Sequence, residues 1–233
     1  MPDTQAQSPA YVQPVIVLPA DGDPSLAYVK TVDDSFRRLA AWFGRVVGRP
    51  FNYLAPAVHR LELTEAQWLA KYAGEPVRLW IEAISEAAER GAIEGKCNQQ
   101  RLYVFVTPVE CGAGGMIGAE NWGCDHILPG SVAMTGWAGK LLGGLAHEGW
   151  ERWPNAMGAL AHELGHAIGD PQGTGRPLDH YDLWTPERQA AFSMWGTVMF
   201  NWWSWQEHEP ESIRAPGFAP FEKERLLASA IFH

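Results

Sequence analysis

The chain has 233 residues, enough for one large domain or two small ones with a substantial core. A hydrophobic share of 46% excludes global disorder, and no apolar run approaches the roughly 18 residues of a membrane span. With 18 Lys and Arg against 27 Asp and Glu, the formal net charge of -9 repels polyphosphate, so neither nucleic acid nor an anionic membrane surface is an expected partner.

Residues 1–10 are polar and read as a loose leading segment. Val12 to Leu18 reads as a first strand, ended by Pro19 and the turn residues Asp21-Gly22-Asp23. Asp23 followed by Pro24 marks a helix start. Val29, Val32, Phe36, Leu39, Phe43 and Val46 then recur at helical spacing until Gly48 and Pro50. Phe51 to Leu54 suits a short second strand, and Thr64-Glu65-Ala66-Gln67 is a capping box with Leu63 and Trp68 placed as a staple. A further helix is expected from about Glu75 to Arg90. Leu102 to Thr107 is a continuous apolar run and so a buried central strand.

The glycine-rich stretch 111–123 is either a loop or, over Met116–Ala119, a short edge strand. Asn155 to Ile168 forms a helix with Met157, Leu160, Ala161, Leu164 and Ile168 on its buried stripe. Residues 169–182 read as loop and Phe221 to Ile231 as a closing helix. No repeat and no linker divides the chain, so the reading is one α/β or α+β domain over 11–233 with a mixed, twisted sheet. Cys97, Cys111 and Cys124 are too few for a disulfide framework and too far apart for a zinc knuckle; one bridge plus a free thiol and three reduced thiols both stay open. The N-terminus has neither a basic nor an apolar leader region, which favours the cytoplasm while leaving a secreted mature form open. A monomer is expected.

One motif carries chemistry. His162-Glu163-Leu164-Gly165-His166 is an HExxH sequence inside the amphipathic helix. Positions i and i+4 share a helix face, so His162 and His166 can hold one Zn²⁺ through imidazole nitrogens. Glu163 lies beside them as a general base for water, whose pKa such a metal lowers. The alternative is two ordinary helix-face histidines. Gly169 and Pro171 end the helix.

With Gly169 the motif extends to HExxHxxG, and here the chain resembles the metzincin clan of zinc metallopeptidases. Gly196-Thr197-Val198-Met199-Phe200-Asn201 resembles that clan's Met-turn, with Met199 beneath the metal. More narrowly, Trp122-Gly123-Cys124-Asp125, Leu128-Pro129-Gly130, Gly158 to Gly169, Met199 to Trp203 and Phe221 to Ser229 resemble small matrixin-like bacterial metallopeptidases. The resemblance covers most of the second half. It implies a zincin-like fold, a Zn²⁺ cofactor and hydrolysis of a peptide docked by strand addition. The strand for that docking maps onto Gly114 to Ala119, with Gly115, Met116 and Ile117 as substrate-binding residues.

The sequence departs from the pattern at Gln172, where the clan has His or Asp. Gln172 can coordinate through its amide oxygen, or the 173–182 loop can supply His180, with Asp179 and Asp182 next, or the site binds metal weakly or not at all. Glu187 has no supporting pattern as a ligand. Asn201 stands where many metzincins carry Tyr, a role Tyr181 can take if its loop folds over the cleft. His147 to Glu151 ends in Glu and lacks the second imidazole; His126 beside Asp125 reads as structural. Of 12 tryptophans, Trp150, Trp153, Trp195, Trp202, Trp203 and Trp205 lie near the motif, as core and cleft wall or as an aromatic pocket. Two further readings stand beside the peptidase: a zinc enzyme of the same fold acting on a small molecule, and a binding protein on a degenerate scaffold, against which Glu163 argues.

Overall fold

The computed structural model describes residues 10–22, 26–71, 82, 86, 89–90, 101–109, 116–120, 131–134, 153–169, 178, 183–205 and 217–232, with backbone alone at 26–27, 116–120, 131–134 and 153–155. Five strands form one sheet: β1 (Tyr11–Leu18), β2 (Ala57–Arg60), β3 (Arg101–Val106), β4 (Met116–Glu120) and β5 (Ser131–Met134). Their order is β2-β1-β3-β5-β4. The first four neighbours run parallel, and β4 closes one edge antiparallel to β5. The sheet is therefore mixed, as expected.

β1 and β3 are buried on both faces, which is why their sequences are continuous apolar runs rather than alternations. One face, through Val12, Ile16, Leu18, Leu102, Val104 and Val106, shares a core with two long helices. These are α1 (Leu26–Val46) and α3 (Trp153–Gly169). On α1, Val32, Phe36, Leu39, Phe43 and Val46 point into that core at the spacing read from sequence. Between them in chain order comes α2 (Glu65–Lys71), opened by the expected capping box: Thr64 N–H donates to Gln67 Oε1 at 3.0 Å and Gln67 N–H to Thr64 Oγ1 at 3.2 Å. Among the described residues no helix is long and apolar enough to cross a membrane.

Two expectations need correction, and one strand is additional to those expected. Phe51–Leu54 is not a strand but a single parallel bridge between Val12 and Tyr53, and the second strand is Ala57–Arg60. That strand lies at the sheet edge with Val58 exposed, so it shows no apolar pattern. Four-residue β5, between Pro129-Gly130 and Thr135-Gly136, was not anticipated for the same want of length. The closing helix α6 (Pro220–Leu227) ends earlier than expected, and a 3-10 turn, Ala230–Phe232, follows.

The C-terminal half also contains α4 (Pro186–Ala191) and the four-residue α5 (Val198–Asn201). The last described residues are latched to the N-terminal half. Ala10 N–H donates to Ala230 O at 3.2 Å and Asn52 N–H to Ile231 O at 3.3 Å. Rings of Trp42, Phe43, Phe51, Phe218 and Phe232 pack around that latch at centroid distances of 5.2 to 6.1 Å. Each such buried ring contributes about 1.5–3 kcal/mol.

Candidate metal centre

α3 packs across β4 and β5 on one side and against α5 and the following 3-10 turn on the other. Its stripe Met157, Leu160, Ala161, Leu164 and Ile168 is wholly buried. This fixes the helix rotation and leaves His162, Glu163 and His166 on one side of it. Two glycines permit the close approach. A Cβ at Gly158 would stand 1.9 Å from the Trp202 carbonyl oxygen, and one at Gly165 would stand 2.4 Å from Met199 Sδ. Met199 therefore lies directly against the helix turn between the two histidines, itself 1% exposed. At its far end α3 is capped by Arg225 Nε, which donates to Gly169 O at 3.1 Å.

The two imidazoles meet at right angles, their centroids 4.5 Å apart and planes at 87°. Their Nε2 atoms face each other at 3.0 Å. His162 Nδ1 lies 3.3 Å from Val198 O. A carbonyl can only accept, so this hydrogen bond has Nδ1 carrying the hydrogen, which turns Nε2 inward toward His166. Burial, reinforced by neighbouring His162, pulls the His166 pKa down to about 3, so this ring is neutral at ordinary pH. Glu163 Oε1 stands 3.9 Å from His162 Nε2, on a side chain that is almost entirely buried.

This donor set fits a zinc ion. Two nitrogens at zinc's usual bond length and tetrahedral angle stand roughly 3.3 Å apart, within a few tenths of the distance found. Neutral imidazole is the form that binds metal, and a donated Nδ1 hydrogen bond to a backbone carbonyl is the usual support for a ligating His. Among the described residues no group of three His, Cys, Asp or Glu side chains converges to hold a metal. A third protein ligand of those types would have to come from residues outside that set. Gln172, Asp179, His180, Tyr181 and Asp182 all lie outside it, as do Gly115, the three cysteines, Asp125, His126 and the His147–Glu151 stretch.

Met116 and Ile117 fall on β4, the antiparallel edge strand, paired with Met134 and Ala133 and followed by an irregularity before Glu120. Glu187 sits exposed in the first turn of α4, its carboxyl held below the usual range by its own backbone N–H and by Thr185. Asn201 Nδ2 donates to Trp195 O at 2.9 Å, and the side chain is buried. Of the tryptophans, Trp205 is core, whereas Trp195 and Trp203 are about half exposed with rings 6.0 Å apart.

Sequence reading missed the residues behind the histidines: the Val198 carbonyl, Thr197 and Glu222. A backbone carbonyl has no residue-type signature. Glu222 is the third residue of α6 and reaches back to Ala219 N–H at 2.7 Å, half of a capping box. Ala at the cap position, where Ser or Thr is usual, hid that signal.

No family model matches the chain, and no curated protein does. Solved structures do. Wild-type OgpA from Akkermansia muciniphila is similar at 14% identity and a TM-score of 0.57. The match covers 97% of this chain and 62% of that one, so this chain spans less than two thirds of OgpA's length. Catalytically inactive OgpA in complex with an O-glycopeptide substrate, glycodrosocin, matches over the same shares with a TM-score of 0.53. Archaemetzincin from Methanopyrus kandleri matches at 15% identity over 93% of both chains, with a TM-score of 0.42. The likeness to OgpA lies in the fold, a mixed α/β, zincin-like architecture.

Proposed function

We propose that this chain is a zinc-dependent peptidase of metzincin type, close to the small matrixin-like bacterial group, with residues 11–233 as one catalytic domain. The observation that carries the reading is the pair of facing imidazoles, one with its tautomer fixed by a backbone carbonyl, with the Glu163 carboxylate beside them. His162 and His166 would hold the ion, and His180 or Gln172 would complete the set. Zinc, when bound, supplies Lewis acidity that polarises a carbonyl and acidifies water.

The remaining chemistry belongs to the chain. Glu163 takes the proton of the attacking water and passes it to the leaving amine, and its position inside the fold spares it competition from bulk solvent. Met199 and the buried stripe of α3 hold both rings in place. β4, as a sheet edge, offers backbone groups on which an extended peptide can add as a further strand. The likeness to OgpA in complex with an O-glycopeptide makes glycosylated peptides the first substrates to try beside plain ones.

The test is turnover of peptide and O-glycopeptide libraries by zinc-loaded protein, with Glu163→Gln as control. Peptide cleavage that falls about 10²–10⁴-fold in the variant, at unchanged zinc content, supports the reading. Zinc-loaded protein that cleaves neither library contradicts it. A second reading is an enzyme of the same fold acting on a small molecule. It is favoured by Asn201, which stands in place of the clan's Tyr and is turned to Trp195 O.

A further inference from the structure

We infer that Thr197 and Glu222 are a positioning pair that sets the metal affinity of the two-histidine centre by fixing the Val198 carbonyl against His162; this rests on the zinc reading above. Both side chains are wholly buried. A buried hydroxyl and a buried carboxyl cost several kcal/mol unless hydrogen-bonded, so they persist only where their bonds are made. Thr197 Oγ1–H donates to Glu222 Oε2 at 2.6 Å, and Ala219 N–H donates to the same oxygen at 2.7 Å. Thr197 Oγ1 in turn accepts from Met199 N–H at 3.2 Å, capping α5.

The backbone on either side is equally constrained. Val198 N–H donates to Gly217 O at 2.8 Å, and Gly217 N–H to Gly196 O at 3.1 Å. Phe200 and Asn201 N–H both donate to Thr197 O. The peptide that bears the Val198 carbonyl is thus pinned from the α6 side by one carboxylate and one hydroxyl. That carbonyl receives His162 Nδ1–H at 3.3 Å, near the long end of a hydrogen bond. A small rotation of the turn would break it. The ring would then lose the acceptor that selects its tautomer, and Nε2 would no longer be held as an acceptor facing His166. Glu222 touches neither histidine in this chain of bonds; it acts through Thr197 and the turn.

The experiment measures the zinc dissociation constant by chelator competition, together with the ¹⁵N shifts of His162 in zinc-free protein, for wild type, Thr197→Val, Thr197→Ser and Glu222→Gln. Thr197→Val keeps the side-chain shape and removes the hydroxyl. It should weaken zinc binding about 10–100-fold and move the His162 shifts toward mixed tautomers. Thr197→Ser, which restores the hydroxyl, should bind within about threefold of wild type. Glu222→Gln keeps one oxygen acceptor and replaces the other oxygen by an amide NH2, and should fall between the two. A folded Thr197→Val with unchanged affinity and unchanged shifts would overturn the inference. So would wild-type His162 found in its Nε2–H tautomer, a result that needs no variant. If wild type binds no zinc at all, it is the zinc reading that fails, and the tautomer measurement still decides whether the pair fixes the ring.

Discussion

His166 is held neutral by burial and by His162, with its pKa pulled down to about 3 against about 6.5 in an unfolded chain. Between those values the unfolded state binds the extra proton. The folded, zinc-free protein therefore gains stability from this ring as pH rises from about 3 to 6.5, and loses it as pH falls through the same window. Thermal melts of zinc-free protein at pH 4.5 and 7.5 should show a drop in Tm at the lower pH that is smaller in His166→Gln. Equal drops in both proteins would contradict the assignment. The motif residues were legible because HExxH is local: i and i+4 on a helix face each other whatever the rest of the fold does. Their support was not legible, because Val198, Thr197 and Glu222 reach the site through backbone and distant contacts. The third ligand stays an expectation, since Gln172 and His180 lie outside the described residues.

Helix α3 is positioned by two close approaches of different kinds, and substitution should separate them. At Gly165 the obstacle to a Cβ is the tip of Met199, a flexible side chain. Gly165→Ala should cost about 1–2 kcal/mol, part of it recovered as helix propensity. At Gly158 the obstacle is the Trp202 backbone carbonyl, which cannot move without its turn. Gly158→Ala should cost at least about 3 kcal/mol. Urea denaturation of both variants checks the order; a cheaper Gly158→Ala would mean that α3 and the 202–204 turn are not in contact as described. Long elements with a strong period, α1, α3 and β3, were readable from their apolar spacing. β2 and β5 were not, because four-residue strands at or near a sheet edge carry too few apolar positions to form a pattern.

Across the molecule, the first and last described residues meet beside the aromatic cluster, so stability depends on residues far from the sheet in sequence. Phe232, the last described residue, packs near Phe43 at 6.1 Å and is 5% exposed. Phe232→Ala should destabilise the whole protein by about 3 kcal/mol, read as a lower urea midpoint with an unchanged slope. An unchanged midpoint would show that the latch does not bear on the core. Zinc should act in the opposite direction. If it binds the folded chain alone, zinc at 100 times its dissociation constant adds about 2.7 kcal/mol and raises Tm in a concentration-dependent way, and a chelator reverses the gain. The fold class emerged from alternating strand and helix patterns, and the likeness to OgpA agrees with it.

The most direct test of the central claim is the metal stoichiometry of protein purified without chelator or metal-affinity tag, measured by elemental analysis for wild type and His162→Ala. The account predicts one zinc per wild-type chain and none in the variant. Wild-type protein that takes up no zinc even when it is supplied would contradict it, and the facing histidines would then be an ordinary pair on a buried helix.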